Sequence, residues 1–181
     1  CRGGKTYRAG WIIHPTSMNS QKIAVVATLI ALAIATNYAM LPLYNVKLMD
    51  MVVFIGGFVF GPLVGVSIGI LSWVVYGTLN PLGFSLNIWL ATMFSEAIFG
   101  VVGGLVGRNS RGIAFRAKRS AVAELCLSFA ALGGLLTFAY DIVTNVVWGY
   151  TVGPNVVTAV VIGFAGFGIV HMVSNFFFFG L

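Results

Sequence analysis

The sequence predicts an all-α integral membrane protein in which six transmembrane helices form a compact bundle with both termini cytoplasmic. Composition predicts the membrane, because 59% of the residues are hydrophobic and only 8% are charged, whereas soluble globular domains carry roughly 25% charged residues. Turn residues divide the apolar sequence into six segments. The chain of 181 residues suits one bundle, since a helix needs roughly 20 apolar residues to cross the hydrocarbon core.

The first 17 residues are polar, basic and glycine-containing, and we expect them to lie outside the fold. Met18 then opens a stretch that is typical of a natural start, which leaves open whether residues 1–17 are native. The predicted division is therefore a polar basic leader at 1–17 and a six-helix membrane domain at 18–181.

Six apolar segments follow this leader, and Gly, Pro and Asn separate most of them. The connections read YNVK, FGP, NPLGFS, a basic loop and GYTVGPN, which are sequences typical of turns. The second segment is short for a membrane span, so a five-span alternative with a re-entrant second helix stays open. The predicted helices occupy residues 23–41, 48–60, 63–79, 84–107, 122–148 and 156–179.

The basic residues predict the orientation. Four helices lie between the two basic clusters, so both clusters fall on one side, and Lys and Arg favour the cytoplasmic side. This topology accounts for the net charge of +6 without a nucleic-acid partner, and it places the loops YNVK, NPLGFS and GYTVGPN outside. The clusters are Arg2, Lys5, Arg8 and Lys22 before the first helix, and Arg108, Arg111, Arg116, Lys118 and Arg119 after the fourth.

Small residues recur every four positions and predict close helix packing in lipid. The third helix carries Gly61, Gly65 and Gly69, and the fourth carries two such glycine pairs. The first helix carries an alanine stripe, which either packs inside the bundle or receives a partner helix from outside. The stripe consists of Ala27, Ala31 and Ala35.

Ionisable residues within apolar segments carry the functional signal. A carboxylate at the centre of a membrane helix costs roughly 2.5–3.5 kcal/mol on insertion scales, so such groups usually face an interior or a watery cavity. We expect a substrate site in the outer half of the bundle, with a structural hydrogen-bond network as the alternative. Its candidate residues are Asp141, Asn145, Trp148, Trp89, Glu96, Asn87, Tyr44, Lys47 and Asp50.

The other ionisable residues of the membrane domain predict no substrate site. Glu124 and His171 are expected toward the cytoplasmic half, where His171 and Asn175 would act locally in helix packing. With two histidines in the chain, ligands for a metal site are lacking. A GxSxG motif is also missing from the sequence. The sequence predicts neither an enzyme nor a resident cofactor.

Three stretches together resemble the substrate-binding S component of an energy-coupling factor (ECF) transporter, a group of bacterial and archaeal vitamin importers. They are KLMDMVVFIGGFVFGPLVGVSIGILS, YDIVTNVVWGY and FGIVHMVSNFFFF. The similarity runs from about Met18 to the last residue, and includes the helix count, the short second helix, the FGP turn and the alanine stripe.

This resemblance implies a multi-pass protein of the cell membrane that binds a vitamin in an outward-facing pocket lined from helices four to six. Residues 43–50 would form the gate over that pocket. Ala27, Ala31 and Ala35 would dock on a transmembrane T subunit, driven by two cytoplasmic ATPases, and the S component would topple in the membrane to release its cargo. No residue set in the chain points to a particular vitamin.

Two other functions stay open on sequence grounds. A self-sufficient carrier or channel could relay protons or cations through Asp141 and Glu96, although inverted repeats typical of many carriers are not evident. A purely structural membrane subunit would use its polar residues only to hold helices together.

In the leading hypothesis, a substrate-binding subunit, Asp141 and Asn145 would fix polar edges of a ligand and Trp148 would face a flat ring.

Overall fold

The structure, a computed structural model, describes residues 20–81, 83–114, 119–153 and 155–181. Within these ranges the chain is helical and contains no strand. The leader at 1–17 and part of the basic loop lie outside the described residues. Six helices are described: α1 (Ser20–Ala39), α2 (Met49–Phe60), α3 (Pro62–Thr78), α4 (Leu86–Ala114), α5 (Arg119–Thr151) and α6 (Val156–Gly180), the last interrupted by a π-helical turn, Phe164–Gly168.

Four of the described helices, α1, α4, α5 and α6, are long and apolar enough to cross a membrane. By contrast, α2 has 12 residues, which at 1.5 Å per residue is about 18 Å, well short of the hydrocarbon thickness of about 30 Å. The prediction of an all-helical membrane protein is confirmed for the described residues. Six crossings and cytoplasmic termini stay predictions.

The predicted turns coincide with observed helix ends. Gly61 has φ of 100°, a left-handed conformation that glycine adopts without a Cβ clash. Pro62 follows at the first position of α3, where its missing N–H is not needed. At the start of α6, the side chain of Asn155 accepts a hydrogen bond of 2.8 Å from the backbone of Thr158, which caps the helix.

Glycines bring α2, α3 and α4 into backbone contact. A Cβ atom at Gly65 would lie 2.6 Å from the Cα atom of Gly100 and 2.7 Å from the Cα atom of Gly57, so only glycine fits at this crossing. Gly69 packs in the same way against the backbone of Glu96. The predicted close packing is therefore confirmed for Gly65, Gly69 and the glycines of the fourth helix, and it fixes the depth at which Glu96 lies. Gly61 does not take part, because it lies in the turn before α3 with nothing within 4 Å of its Cβ position.

The helix α1 lies at the edge of the bundle. Its buried residues are Val26, Ala33 and Asn37. The alanines of the stripe fall on another face, and all three are exposed: Ala27, Ala31 and Ala35. The stripe is thus uncovered within the described part of the chain, in contrast to the glycines of α3 and α4.

Candidate functional site

An aromatic pocket of about 460 Å³ opens among the end of α3, the loop that follows it, the start of α4 and the end of α5. Three of the four tryptophans of the chain line it. No ionisable side chain belongs to its described lining. The lining residues are Trp73, Gly77, Asn80, Gly83, Phe84, Ser85, Ile88, Trp89, Thr92, Trp148 and Val152.

Neighbouring groups fix the rings of this pocket. The indole nitrogen of Trp89 donates a hydrogen bond of 2.9 Å to the backbone oxygen of Trp73. The ring of Phe84 lies 6.0 Å from that of Trp89, with 52° between their planes. A Cβ atom at Gly77 would lie 2.7 Å from the indole nitrogen of Trp89. The small size of Gly77 is therefore what admits Trp89 to the pocket wall.

A buried ionic network joins α2, α5 and α6. The Nε2 atom of His171 lies 2.7 Å from Asp50 Oδ2, and its Nδ1 atom lies 3.0 Å from Asp141 Oδ1. Only an imidazolium, which carries a proton on each nitrogen, donates to both carboxylates at once; a neutral ring needs one protonated carboxyl partner. Such groups are costly in a membrane unless they satisfy one another.

Asn175, one turn after His171, extends this network. Its Nδ2 atom donates one hydrogen bond of 2.6 Å to Asp50 Oδ2 and another of 2.7 Å to Thr137 Oγ1. The hydroxyl group of Thr137 in turn donates a hydrogen bond of 2.8 Å to the backbone oxygen of Gly133. The carboxylate of Asp50 therefore accepts from two residues of α6, and that helix is tied to the start of α2.

Trp73 connects the aromatic pocket with the buried acids. The residue lines the pocket, and its indole nitrogen donates a hydrogen bond of 3.1 Å to Glu96 Oε2. The Lys47 ammonium lies 5.8 Å from the centroid of the Trp73 ring and 5.1 Å from that of Tyr140, within cation–π range. One indole thus contacts the pocket, a buried acid and a cation of the loop between α1 and α2.

That loop is also fastened to the π-helical turn of α6. Asn45 donates 2.8 Å to the backbone oxygen of Phe167, and the Tyr44 ring stacks on the Phe167 ring at 4.6 Å. Asn45 has φ of 50°, a left-handed conformation that Asn tolerates better than most residues. We call the contacts of Tyr44 and Asn45 with Phe167 the latch. π-Helical turns inside α-helices frequently mark functional sites.

The predicted site residues fall into separate groups in this structure. Trp89 and Trp148 line the pocket. Asp50 and Asp141 are held by His171 in the buried network, and Glu96 is buried beside Trp73.

The remaining candidates lie around these two groups. Lys47 is half-buried over the aromatic rings, and Tyr44 belongs to the latch. The amide of Asn145 packs so closely against Gly163 that a Cβ atom there would overlap it. Asn87 is exposed and outside the described lining of the pocket.

The expected separation in depth between His171 and Asp141 is wrong, because the two side chains are in hydrogen-bond contact. The helices α5 and α6 form an antiparallel pair in which Asn145 meets Gly163 and Asp141 approaches Gly168. Helical side chains lean toward the N-terminus of their helix. His171, one turn beyond Gly168, therefore leans back to Asp141.

Sequence reasoning also missed Trp73, and it assigned Asn175 only a local packing role. A signal for Asn175 was available, since His171 and Asn175 are four residues apart in an apolar helix and share one face. For Trp73 the sequence holds no such signal, because its neighbours on α3 are mostly apolar and its partner Glu96 is 23 residues away.

The comparisons with known proteins place this arrangement in a family. The family model described as ECF transporter, substrate-specific component matches residues 21–180, which takes in nearly all of the six helices. No curated protein and no solved structure matches the chain. Such components are multi-pass membrane subunits that bind small molecules and pair with T and ATPase subunits; they are not enzymes. The chain therefore belongs to the family of substrate-specific components of ECF transporters.

Proposed function

We propose that this chain captures a vitamin or vitamin-like small molecule from outside the cell and delivers it to an ATP-driven ECF module for uptake. The observation that carries the proposal is the pocket of about 460 Å³ with three tryptophans in its wall. Small-molecule sites are usually concave and mostly apolar with a few directed polar groups. In a bacterial or archaeal cell membrane with the predicted topology, the loop NPLGFS at this pocket faces outward.

The loop at residues 43–50 serves as the gate in this proposal. It carries Lys47, which lies over the wall residue Trp73. Its latch to Phe167 lies at an exposed position, where it can open without disturbing the buried core. Asp50 at its far end is anchored in the network. A gate needs one releasable end and one fixed end, and the loop has both.

Ala27, Ala31 and Ala35 are the proposed docking surface for the T subunit, which two cytoplasmic ATPases drive. Their exposure supports this role, since methyl side chains let a partner helix approach closely in lipid. Ala31→Trp should leave ligand binding intact and abolish capture of the T subunit and its ATPases. Leu63→Trp, at a position that is 79% exposed on α3, is the matched control and should keep both. Retained capture by Ala31→Trp would exclude this surface.

The capture step is tested by mass spectrometry of metabolites that copurify with the protein from cells. We expect one tightly held metabolite, and its loss from Trp148→Ala at unchanged thermal stability. Loss of a stacked ring is worth about 0.5–1.5 kcal/mol beyond its area burial, which is up to about tenfold in affinity. Tyr150→Ala, two residues on and 80% exposed, is the control. A protein without any bound metabolite, with no response in a metabolite screen, would contradict capture.

A self-sufficient carrier coupled to protons or cations is the alternative, and the buried ionic network of Asp50, Asp141 and His171 favours it. Ionisable residues inside a membrane commonly mark ion pathways. Uptake into liposomes that hold this chain alone separates the two functions. Accumulation driven by an ion gradient without any ATPase would establish the carrier, whereas uptake that requires the ATPase module supports the ECF function.

A further inference from the structure

The three tryptophans of the pocket wall differ in what their indole nitrogens bind. Trp73 donates to Glu96, and Trp89 donates to the backbone oxygen of Trp73. The side chain of Trp148 makes neither a hydrogen bond nor a ring contact with any residue that the structure describes. Buried tryptophan N–H groups usually have a hydrogen-bond partner. Trp148 therefore brings an unused donor to the pocket.

A molecule in the pocket can reach this donor. The side chain of Trp148 is half-buried in the pocket wall, and its nitrogen is not among the enclosed polar atoms that lack a partner. An indole nitrogen can donate a hydrogen bond but cannot accept one. The group that Trp148 binds in the pocket must therefore be an acceptor.

The backbone that carries this donor is held in place. At the next residue, Gly149, a Cβ atom would lie 2.7 Å from the Cβ atom of Ala159, so α5 and α6 are in close contact here. The backbone oxygen of Trp148 accepts hydrogen bonds of 2.9 Å from the N–H groups of Val152 and Gly153, which close the end of α5. A donor on a fixed backbone loses little further conformational freedom when a ligand binds.

The rest of the wall adds ring surface and a hydroxyl group. Because the N–H groups of Trp73 and Trp89 are already bound, these two side chains offer a ligand only their rings, which suit a flat aromatic molecule. The hydroxyl group of Ser85 makes no hydrogen bond with the described residues and can donate one. Since no ionisable side chain belongs to the described lining, uncharged donors make the directed contacts.

We infer that Trp148 donates a hydrogen bond to the ligand, so that the pocket takes a flat aromatic heterocycle with an acceptor on its edge, such as an unprotonated ring nitrogen or a carbonyl oxygen. The inference rests on the proposed function and narrows its substrate class. The acceptor lies at the edge of the Trp148 ring, in the plane in which the indole N–H points. The rest of the ligand packs against the tryptophan rings.

Two uncharged probes of nearly equal shape test this inference on the full chain, purified in detergent. Quinoxaline carries two ring nitrogens as acceptors, and naphthalene carries none. Equilibrium dialysis against protein-free micelles of the same detergent gives both affinities, and the ratio of the quinoxaline affinity to the naphthalene affinity measures the preference for an acceptor. Trp148→Phe keeps an aromatic ring and removes the donor, so this ratio should fall by about three- to tenfold, as for one hydrogen bond.

Trp89→Phe is the matched control, because it makes the same substitution in the same pocket wall. It removes an N–H group that already donates to the backbone oxygen of Trp73, so both affinities can fall but their ratio should not change. If Trp148→Phe fails to fold, benzothienylalanine at position 148 decides instead, because its sulfur replaces the N–H group in a ring of the same shape.

An affinity ratio that survives the loss of the Trp148 donor would overturn the inference and leave this residue as an aromatic anchor at the membrane interface. Failure of both probes to bind would overturn it as well. The copurified metabolite tests the proposed function separately. A metabolite without an aromatic ring or without an acceptor would refute this substrate class but uphold capture, whereas a protein without any metabolite, and with no response in a metabolite screen, would contradict capture itself.

Discussion

His171→Leu should destabilise the protein strongly, because it removes a group that two buried carboxylates share. Leucine retains apolar bulk at a fully buried position but donates no hydrogen bond. Asp50 keeps its contact of 2.6 Å with Asn175, whereas Asp141 Oδ1 loses the histidine that lies 3.0 Å away. Removal of one partner from a buried ion pair costs about 3–5 kcal/mol. Since total stabilities are about 5–15 kcal/mol, this loss is a large fraction.

Denaturant unfolding in detergent micelles, followed by helical circular dichroism, measures the effect. Val173→Leu, a half-exposed position two residues along α6, is the control for an added apolar group and should change the free energy of unfolding by less than about 0.5 kcal/mol. His171→Gln keeps one donor and should fall between the control and His171→Leu.

A triple variant with Asp50→Asn, Asp141→Asn and His171→Leu shows whether charge is the cause. This variant removes both buried carboxylate charges together with the histidine, so it should be more stable than His171→Leu alone. Replacing all members of a buried ionic group often leaves the free energy of unfolding unchanged, whereas removing one member is costly. If His171→Leu unfolds like the unmodified protein, the three groups do not form an ionic network. If the triple variant is no more stable, packing of the imidazole ring is the larger contribution.

Three further substitutions test other parts of the structure. Gly100→Ala would place a methyl group on the backbone of Gly65 and should cost about 1–3 kcal/mol of unfolding free energy; an unchanged midpoint would contradict the close crossing. Asn45→Ala removes the hydrogen bond of the latch and should speed ligand dissociation in stopped-flow fluorescence by up to about tenfold. Asn45→Gly also removes that bond but tolerates the left-handed backbone at this position, so the difference between the two variants measures the cost of the backbone conformation. Gly77→Ala should displace the Trp89 ring and weaken binding more than stability; the reverse outcome would place the ligand elsewhere.

The sequence predicted the helices well and their ends less well. Glycine, proline and asparagine at the connections match the observed turns, as with Gly61 before α3. The predicted end of the fourth helix at residue 107 falls short of Ala114, and the predicted start of the fifth at 122 follows Arg119. Hydropathy reports the apolar stretch, whereas Arg and Lys are good helix formers that continue a helix beyond it.

The pairing of side chains between helices could not be predicted from one sequence. His171 and Asp50 are separated by 121 residues, and their contact depends on how far α6 slides along α2 and α5. A shift of one residue moves a helical side chain by 1.5 Å and turns it by about 100°. The sequence therefore singled out Asp50 and Asp141 but not their contacts with His171, and their place in a substrate site stays a prediction.

If residues 43–50 form the proposed gate, the contacts of α6 allow it to move while the buried network stays intact. One face of α6 carries Phe167, His171 and Asn175, which are spaced four residues apart. Phe167 makes the latch contacts with Tyr44 and Asn45, whereas His171 and Asn175 bind Asp50. The latch is exposed and consists of one hydrogen bond and one ring contact, whereas the contacts of Asp50 are buried and costlier to break. Opening should therefore begin at the latch and stop before Asp50, so that Lys47 leaves the Trp73 ring while α2 remains in place.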